Sequence, residues 1–427
     1  MSQVRSVVHA QRLHGSLRVP GDKSASHRAL MISALASGES TIEGLSPGHD
    51  VASTSAIMVS LGASRTDEAK VVRIVGPREG LAPTTGELDC GNSGTTMRLL
   101  SGIVSGVEGV HTLVGDPSLS KRPMDRIAVP LSLMGARVTG HGHRVTAPLT
   151  IEGAVTLRAI DYHVPRASAQ VKSSILFAAL AATGPTTVRE DHRTRTTTED
   201  MLRQAGLDVR SVDEGTGRVV TIVPARPNAT AWRVPGDPSQ AAFFAVLGAV
   251  HADASLEVVG VDSAPERVGF VGVLARMGAR VALENRATGT SLLSQSSTLV
   301  ASEVQSREIP SVDEVPVLAV AAAAASGITA FRDMGELRLK ESDRFTGSMR
   351  LARLLGCRVW EEGDDFFIEG LGSASAFAHF RIDAQLDHRI VMASAVAGWA
   401  GGGCVISGAQ TVASSYPHFF DDVASLQ

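Results

Sequence analysis

At 427 residues the chain exceeds what one hydrophobic core organises, and two domains are expected. Hydrophobic residues make up 44% and aromatics only 4%, which describes Ala, Val and Leu cores of closely packed helices and sheets. A formal net charge of −4 excludes whole-chain attraction to nucleic acid or to an anionic membrane.

In chain order the sequence repeats one plan: a polar loop, an Ala-rich apolar helix, a Gly or Ser stop, and a short strand. The N-terminus has no apolar signal core, so a cytoplasmic protein is expected. The first copy opens at Pro20-Gly21-Asp22-Lys23-Ser24, predicts a helix that includes Ala29 to Ala36, and reaches Gly62, which ends a second helix and opens a strand. The second opens at Cys90-Gly91-Asn92-Ser93-Gly94 and reaches Gly135. The third opens at Pro165-Arg166-Ala167-Ser168-Ala169, predicts a helix through Ile175 to Ala182, and reaches Gly206. The fourth opens at Pro235-Gly236-Asp237-Pro238-Ser239, with Pro238 suited to the first helical position, a helix over Ala241 to Val250, and Gly278 at its end. The fifth opens at Pro310-Ser311-Val312-Asp313-Glu314 and holds the longest apolar run, Val315 to Gly327, too short to span a membrane and read as a buried helix that includes Val317 to Ala325; Gly356 ends it. The sixth opens at Gln385-Leu386-Asp387-His388-Arg389 and stops with the chain, Gly401-Gly402-Gly403 being a turn after its helix.

The five closing glycines recur at intervals of about 71 to 78 residues, longer than a solenoid unit, so each repeat is a small α/β module. Glycine suits the position because it takes positive φ without steric cost and ends a helix before a strand. Asp, Asn and Ser ahead of apolar runs are N-cap chemistry, and six capped helices by themselves carry no function. Six modules over two domains suggest three each. Cys90, Cys357 and Cys404 are scattered and without metal spacing, which fits reduced, buried thiols.

The cations fall at repeat-equivalent places. Lys23 and Arg28 follow the first loop, Arg98 the second, and Arg389 starts the sixth helix; Arg122, Arg195, Lys340 and Arg344 follow the strands of modules two, three and five. Equivalent positions lie on one rim of each domain, where helix N-termini add partial positive charge and N–H donors. An acidic protein that gathers cations on one rim is arranged for a small polyanion.

Four strings then resemble one family. Val19-Pro20-Gly21-Asp22-Lys23-Ser24-Ala25-Ser26-His27-Arg28, Gly91-Asn92-Ser93-Gly94-Thr95-Thr96-Met97-Arg98, Leu339-Lys340-Glu341-Ser342-Asp343-Arg344 and Asp387-His388-Arg389-Ile390 are similar, in order, to motifs of the 3-phosphoshikimate 1-carboxyvinyltransferases, the EPSP synthases. The resemblance implies an α/β fold of two domains, each of three pseudo-symmetric βαβαββ modules in an inside-out α/β barrel. The domains would be 21–237, and 1–20 with 238–427, the crossings near 17–23 and 235–241 serving as a hinge that closes on substrate. It implies transfer of the enolpyruvyl group of phosphoenolpyruvate to the 5-hydroxyl of shikimate 3-phosphate, by addition to a tetrahedral intermediate and elimination of phosphate. Two phosphates and two carboxylates bring a charge of about −5 to −6, which the eight cations can neutralise.

Carried over residue by residue, Lys23, Ser24 and Arg28 match shikimate 3-phosphate positions, with Ser168, Ala169, Gln170 and Arg195 as further contacts. Lys23, Gly94, Arg122, Gln170, Arg344 and Arg389 match phosphoenolpyruvate positions. Asp313 and Lys340 match the pair at the target hydroxyl, and Glu341 the carboxylate that moves a proton at the methylene carbon. Catalysis would rest on Asp313, Glu341 and Lys23. Read without the family, Asp313 is equally a plain N-cap and Glu341 a helix-start carboxylate, while His388 is either a base or a histidine that orients Arg389. Gly94 leaves room beside phosphoenolpyruvate, so glyphosate is expected to compete there.

Ser414 stands where many relatives have Lys, and Glu336 where some have Asn, so neither is assigned a substrate. No metal or cofactor is implied, nor a nucleic-acid or membrane partner, and a monomer is expected. The UDP-N-acetylglucosamine enolpyruvyl transferases share the architecture but carry a loop cysteine that Gly115-Asp116-Pro117-Ser118-Leu119-Ser120 lacks. RNA 3′-phosphate cyclases use related modules, against which the acidic balance speaks. A non-catalytic phosphate-binding homologue would not need the two carboxylates.

Overall fold

The computed structural model describes residues 3–287, 289–309 and 311–427, so Pro310 of the fifth opening lies outside the described residues. The chain forms two compact units: Lys23–Val234 is one, and the residues up to Asp22 with Pro235–Gln427 are the other.

The third module displays the repeating plan. Asp161–His163 runs parallel to Thr186–Glu190, which is antiparallel to Gly217–Ile222, itself antiparallel to Val209–Glu214. Helices Ala169–Ala178 and Thr197–Gln204 fill the two connections, which gives βαβαββ. Leu88–Asp89, Gly109–Val114, Arg137–His141 and Thr146–Gly153 repeat this pairing in the second module, and Glu303–Gln305, Ser326–Arg332, Arg358–Glu362 and Asp365–Leu371 in the fifth.

The other three modules borrow strands distant in sequence. Ala231–Arg233 pairs parallel with Glu39–Glu43, Leu13–Leu17 pairs parallel with Ala254–Val259, and Val4–Val7 pairs antiparallel with Cys404–Ser407. The sixth module therefore does not simply stop with the chain. Its sheet is completed from the N-terminus and has three strands against four in the rest.

The first helix of each module is a core element. Helices Pro238–Val250, Val315–Ala324 and His388–Ala400 are buried at every position and pack against one another. The fifth ends at Ala324, earlier than the apolar run suggested, because Ser326 and Gly327 open strand Ser326–Arg332. The second helices end at the repeated glycines, with φ of 107° at Gly62, 108° at Gly135, 87° at Gly206, 88° at Gly278 and 107° at Gly356. All three cysteines are unpaired and buried, and among the described residues no helix is long and apolar enough to cross a membrane.

In the 23–234 unit, helices Gly94–Ser105 and Ala169–Ala178 meet backbone to backbone. A Cβ on Gly102 would sit 2.1 Å from the Ser174 carbonyl oxygen. Gly102→Ala must force these helices apart and is expected to destabilise the fold by about 1–3 kcal/mol. Urea unfolding checks it, and an unchanged midpoint would mean that the contact is not close-packed.

Candidate active site

In the 23–234 unit, side-chain bonds tie together the N-terminal turns of the three first helices. Lys23, the first residue of helix Lys23–Leu35, places its Nζ 2.9 Å from Oδ2 of Asp50, a buried residue of helix His49–Ser60. Arg195 Nη1 donates to Ser24 Oγ at 3.3 Å. Arg28 is buried, and its nitrogens donate to Thr198 Oγ1 (2.6 Å), the Ser24 carbonyl (2.8 Å) and Ser173 Oγ (2.8 Å), which links the first and third modules. Gln170 joins the third to the second: its Oε1 accepts from Arg98 at 2.8 Å and its Nε2 donates to Thr95 at 3.0 Å. Arg122 Nη2 donates to Asn92 Oδ1 at 2.9 Å, and Asn92 in turn donates to Asp116 at 2.6 Å. Beneath them His27 bonds Thr54 at 2.7 Å. Burial, with Lys23 and Arg28 nearby, holds its imidazole well below the usual histidine range and hence neutral.

The other unit gathers charge around Arg344, which is 1% exposed. Each of its three nitrogens meets a different carboxylate: Nε to Asp387 Oδ2 at 2.8 Å, Nη1 to Asp313 Oδ1 at 2.7 Å, and Nη2 to Glu341 Oε2 at 2.6 Å. Asp387 also caps helix His388–Ala400 by accepting from Arg389 N at 2.8 Å. Arg389 Nη1 donates to the Ser239 carbonyl at 2.9 Å and its Nη2 lies 3.9 Å from Asp313 Oδ2. Lys340 Nζ donates to the Ser311 carbonyl at 3.2 Å and to Glu336 at 3.1 Å. Burial pushes the Asp313 carboxyl up, but Arg344, Lys340 and Arg389 together outweigh it and hold the group below the usual carboxylate range. Val312, just before it, has a φ of 50°, a left-handed conformation that strains a β-branched residue by about 1–2 kcal/mol.

Deeper in the same unit Arg267 ties together the two segments where the chain passes between units. Its Nη1 lies 2.5 Å from Asp22 and its Nη2 3.0 Å from Asp237, all three buried.

The sequence model of the EPSP synthase (3-phosphoshikimate 1-carboxyvinyltransferase) family matches residues 7–423. A 3-phosphoshikimate 1-carboxyvinyltransferase of Gloeobacter violaceus is 44% identical over the whole of both chains, and one of Lactococcus lactis 39% over 98% of each. An EPSP synthase structure from Acinetobacter baumannii superposes with a TM-score of 0.86 at 37% identity, covering 100% of this chain and 98% of that one. The chain belongs to the EPSP synthase family.

Of the residues that the family resemblance singled out, Lys23, Ser24, Arg28, Gly94, Arg122, Ser168, Ala169, Gln170 and Arg195 all lie at or beside the N-terminal helix ends of the 23–234 unit. Asp313, Lys340, Glu341, Arg344 and Arg389 form one cluster in the other. Several single-residue expectations change. Asp313 caps nothing: helix Val315–Ala324 starts two residues later and the carboxylate faces Arg344. Glu341 precedes the N-cap Asp343 of helix Arg344–Leu355, so it is a loop residue and not the start of the helix. Arg389 is oriented by the Ser239 carbonyl and faces Asp313. Glu336 anchors Lys340.

Sequence reasoning missed Asp50, Asn92, Ser173, Thr198 and Asp387 as partners of these cations. Asp50 and Thr198 occupy the first turns of second helices, beside the first helices. Polar residues in those turns are the signal that could have found them.

A Cβ on Gly94 would meet Arg98 Nη1 at 2.8 Å and Arg122 Nη1 at 3.2 Å. The space beside Gly94 is thus filled by guanidinium groups. Gly94→Ala must shift Arg98 and press on Arg122. With Arg122 as the phosphoenolpyruvate contact that the family resemblance implies, it is expected to raise the KM for phosphoenolpyruvate several-fold as well as to weaken glyphosate. Steady-state kinetics in which the substrate KM stays unchanged would refute this.

Because the folded Asp313 carboxyl lies below its unfolded value of about 4, its pairing stabilises the fold above that pH and is lost as pH falls toward the folded value. The stability difference between the wild type and Asp313→Asn should therefore be constant at neutral pH and change below about pH 4. A pH-independent difference would contradict it.

Proposed function

We propose that the chain transfers the enolpyruvyl group of phosphoenolpyruvate to the 5-hydroxyl of shikimate 3-phosphate, releasing phosphate. The observation that carries the reading is the pair of clusters at the helix ends. One holds Lys23, Arg28, Arg98, Arg122 and Arg195 against the carboxylates Asp50 and Asp116; the other sets Lys340, Arg344 and Arg389 against Asp313, Glu341 and Asp387. The excess positive charge resides in the first, which suits dianionic phosphates, and the carboxylates needed for proton transfer reside in the second.

In this reading Lys23, Ser24, Ser168, Ala169, Gln170 and Arg195 hold shikimate 3-phosphate. Arg28 belongs with them chiefly as the brace of Ser24, its three nitrogens already donating within the unit. Arg122, Arg344 and Arg389, with Lys23, Gly94 and Gln170, hold phosphoenolpyruvate. Asp313 takes the proton of the 5-hydroxyl as its oxygen attacks C2 of phosphoenolpyruvate, with Lys340 beside it. Glu341 protonates the methylene carbon, which gives the tetrahedral intermediate. Loss of a methyl proton then expels phosphate as the C–O bond breaks and the enol ether forms.

Arg344, Lys340 and Arg389 hold the charge of Asp313 and make it a weak base. Anionic substrates that bind to Arg344, Arg389 and Lys340 take up part of that field and raise its proton affinity. Activation is thereby coupled to occupancy.

The protein works as a monomer in the cytosol, a setting that suits its three unpaired, buried cysteines. The test is a mixing assay. Phosphate release is expected only with both shikimate 3-phosphate and phosphoenolpyruvate, not with UDP-N-acetylglucosamine in place of the former. Asp313→Asn and Glu341→Gln should each lower kcat by about 10²- to 10⁴-fold. No release by the wild type would leave a phosphate-binding homologue.

A further inference from the structure

We infer that Glu314 is a positioning residue that sets both Lys340 and Arg389, and with them Asp313, for the reaction. The inference rests on the assignment of those three groups to the substrates made above.

Glu314 is 1% exposed and follows Asp313 directly. It occupies the N-cap position of helix Val315–Ala324 yet makes no capping bond from its side chain. Both of its oxygens are used elsewhere: Oε1 accepts from Ser239 Oγ at 2.5 Å and Oε2 from Ser311 Oγ at 2.6 Å. Each serine passes the constraint on through its own carbonyl. The Ser239 carbonyl receives Arg389 Nη1 at 2.9 Å, and the Ser311 carbonyl receives Lys340 Nζ at 3.2 Å. The Ser311 hydroxyl also accepts from Asp313 N at 3.4 Å, across the left-handed Val312.

One buried carboxylate thus spans two modules and fixes the carbonyls that aim two cations. Stability alone is a poor reason for it, because taking a carboxylate out of water is expensive and an apolar side chain of similar volume often serves the fold as well. What an apolar group cannot do is hold two hydroxyls on opposite oxygens at one separation. Arg267 lends its charge to the same node, with Nη2 3.4 Å from Ser239 Oγ.

Glu314→Gln keeps the shape but turns one acceptor oxygen into a donor. Measured in the phosphate-release assay, it should lower kcat/KM for phosphoenolpyruvate by about 10- to 100-fold, with KM raised and kcat reduced together, as a displacement of about an ångström can do. The unfolding midpoint should stay near that of the wild type, which separates positioning from a merely structural role. Ser311→Ala added to Glu314→Gln should cost at most about 3-fold more, since both act along one path. Should Glu314→Gln fail to fold, the Ser239→Ala, Ser311→Ala pair carries the test, and the same loss is expected of it.

Unchanged kinetics in whichever variant folds, or losses that multiply in the double variant, would overturn the inference. Absent activity in the wild type would instead overturn the assigned reaction, so the two failures read differently.

Discussion

The first helices of the modules are enclosed on every side, and the rest of the molecule follows from that confinement. Pro238–Val250, Val315–Ala324 and His388–Ala400 can place no charge along their length without burying it, so beyond their first turns they are apolar apart from Ser394. Their charged residues are confined to their ends. The N-terminal ends carry unsatisfied N–H groups and partial positive charge, and the conspicuous cations are found there.

The two units meet this excess of positive potential differently. In the unit that includes Pro235–Gln427, Arg344 answers three carboxylates with three nitrogens, and the cluster is close to neutral as it stands. In the 23–234 unit the cations outnumber the carboxylates beside them, and neutral hydroxyls and amides do the holding: Ser24, Ser173 and Thr198 around Arg28 and Arg195, Asn92 on Arg122, Gln170 on Arg98. A hydroxyl positions a guanidinium without cancelling its charge. The first arrangement holds the Asp313 carboxyl ionised, and the second leaves its positive charge uncancelled.

Much of this could be read from the chain. The glycines at the ends of the second helices have positive φ, as their spacing implied, and Ser93, Ser168, Asp237 and Asp387 cap helices as their position before apolar runs suggested. Asp313 looked the same in sequence and is not a cap. Its carboxylate turns to Arg344, 31 positions further on, because a buried guanidinium draws a carboxylate more strongly than a backbone N–H does. Glu314 gave no sign at all, for its partners Ser239 and Ser311 belong to separate modules.

By itself the sequence determined the six-fold α/β repeat, the apolar first helices, and the identity and order of the motif residues. These depend on local periodicity, on turn chemistry, and on residue types that few positions tolerate. Only the tertiary structure decided which strands complete the first, fourth and sixth modules, which side chains hold each cation, and which carboxylates are spent on pairing rather than on caps. Those outcomes depend on pairings between residues tens to hundreds of positions apart, where burial sets the energy of every charge and no local pattern records the partner.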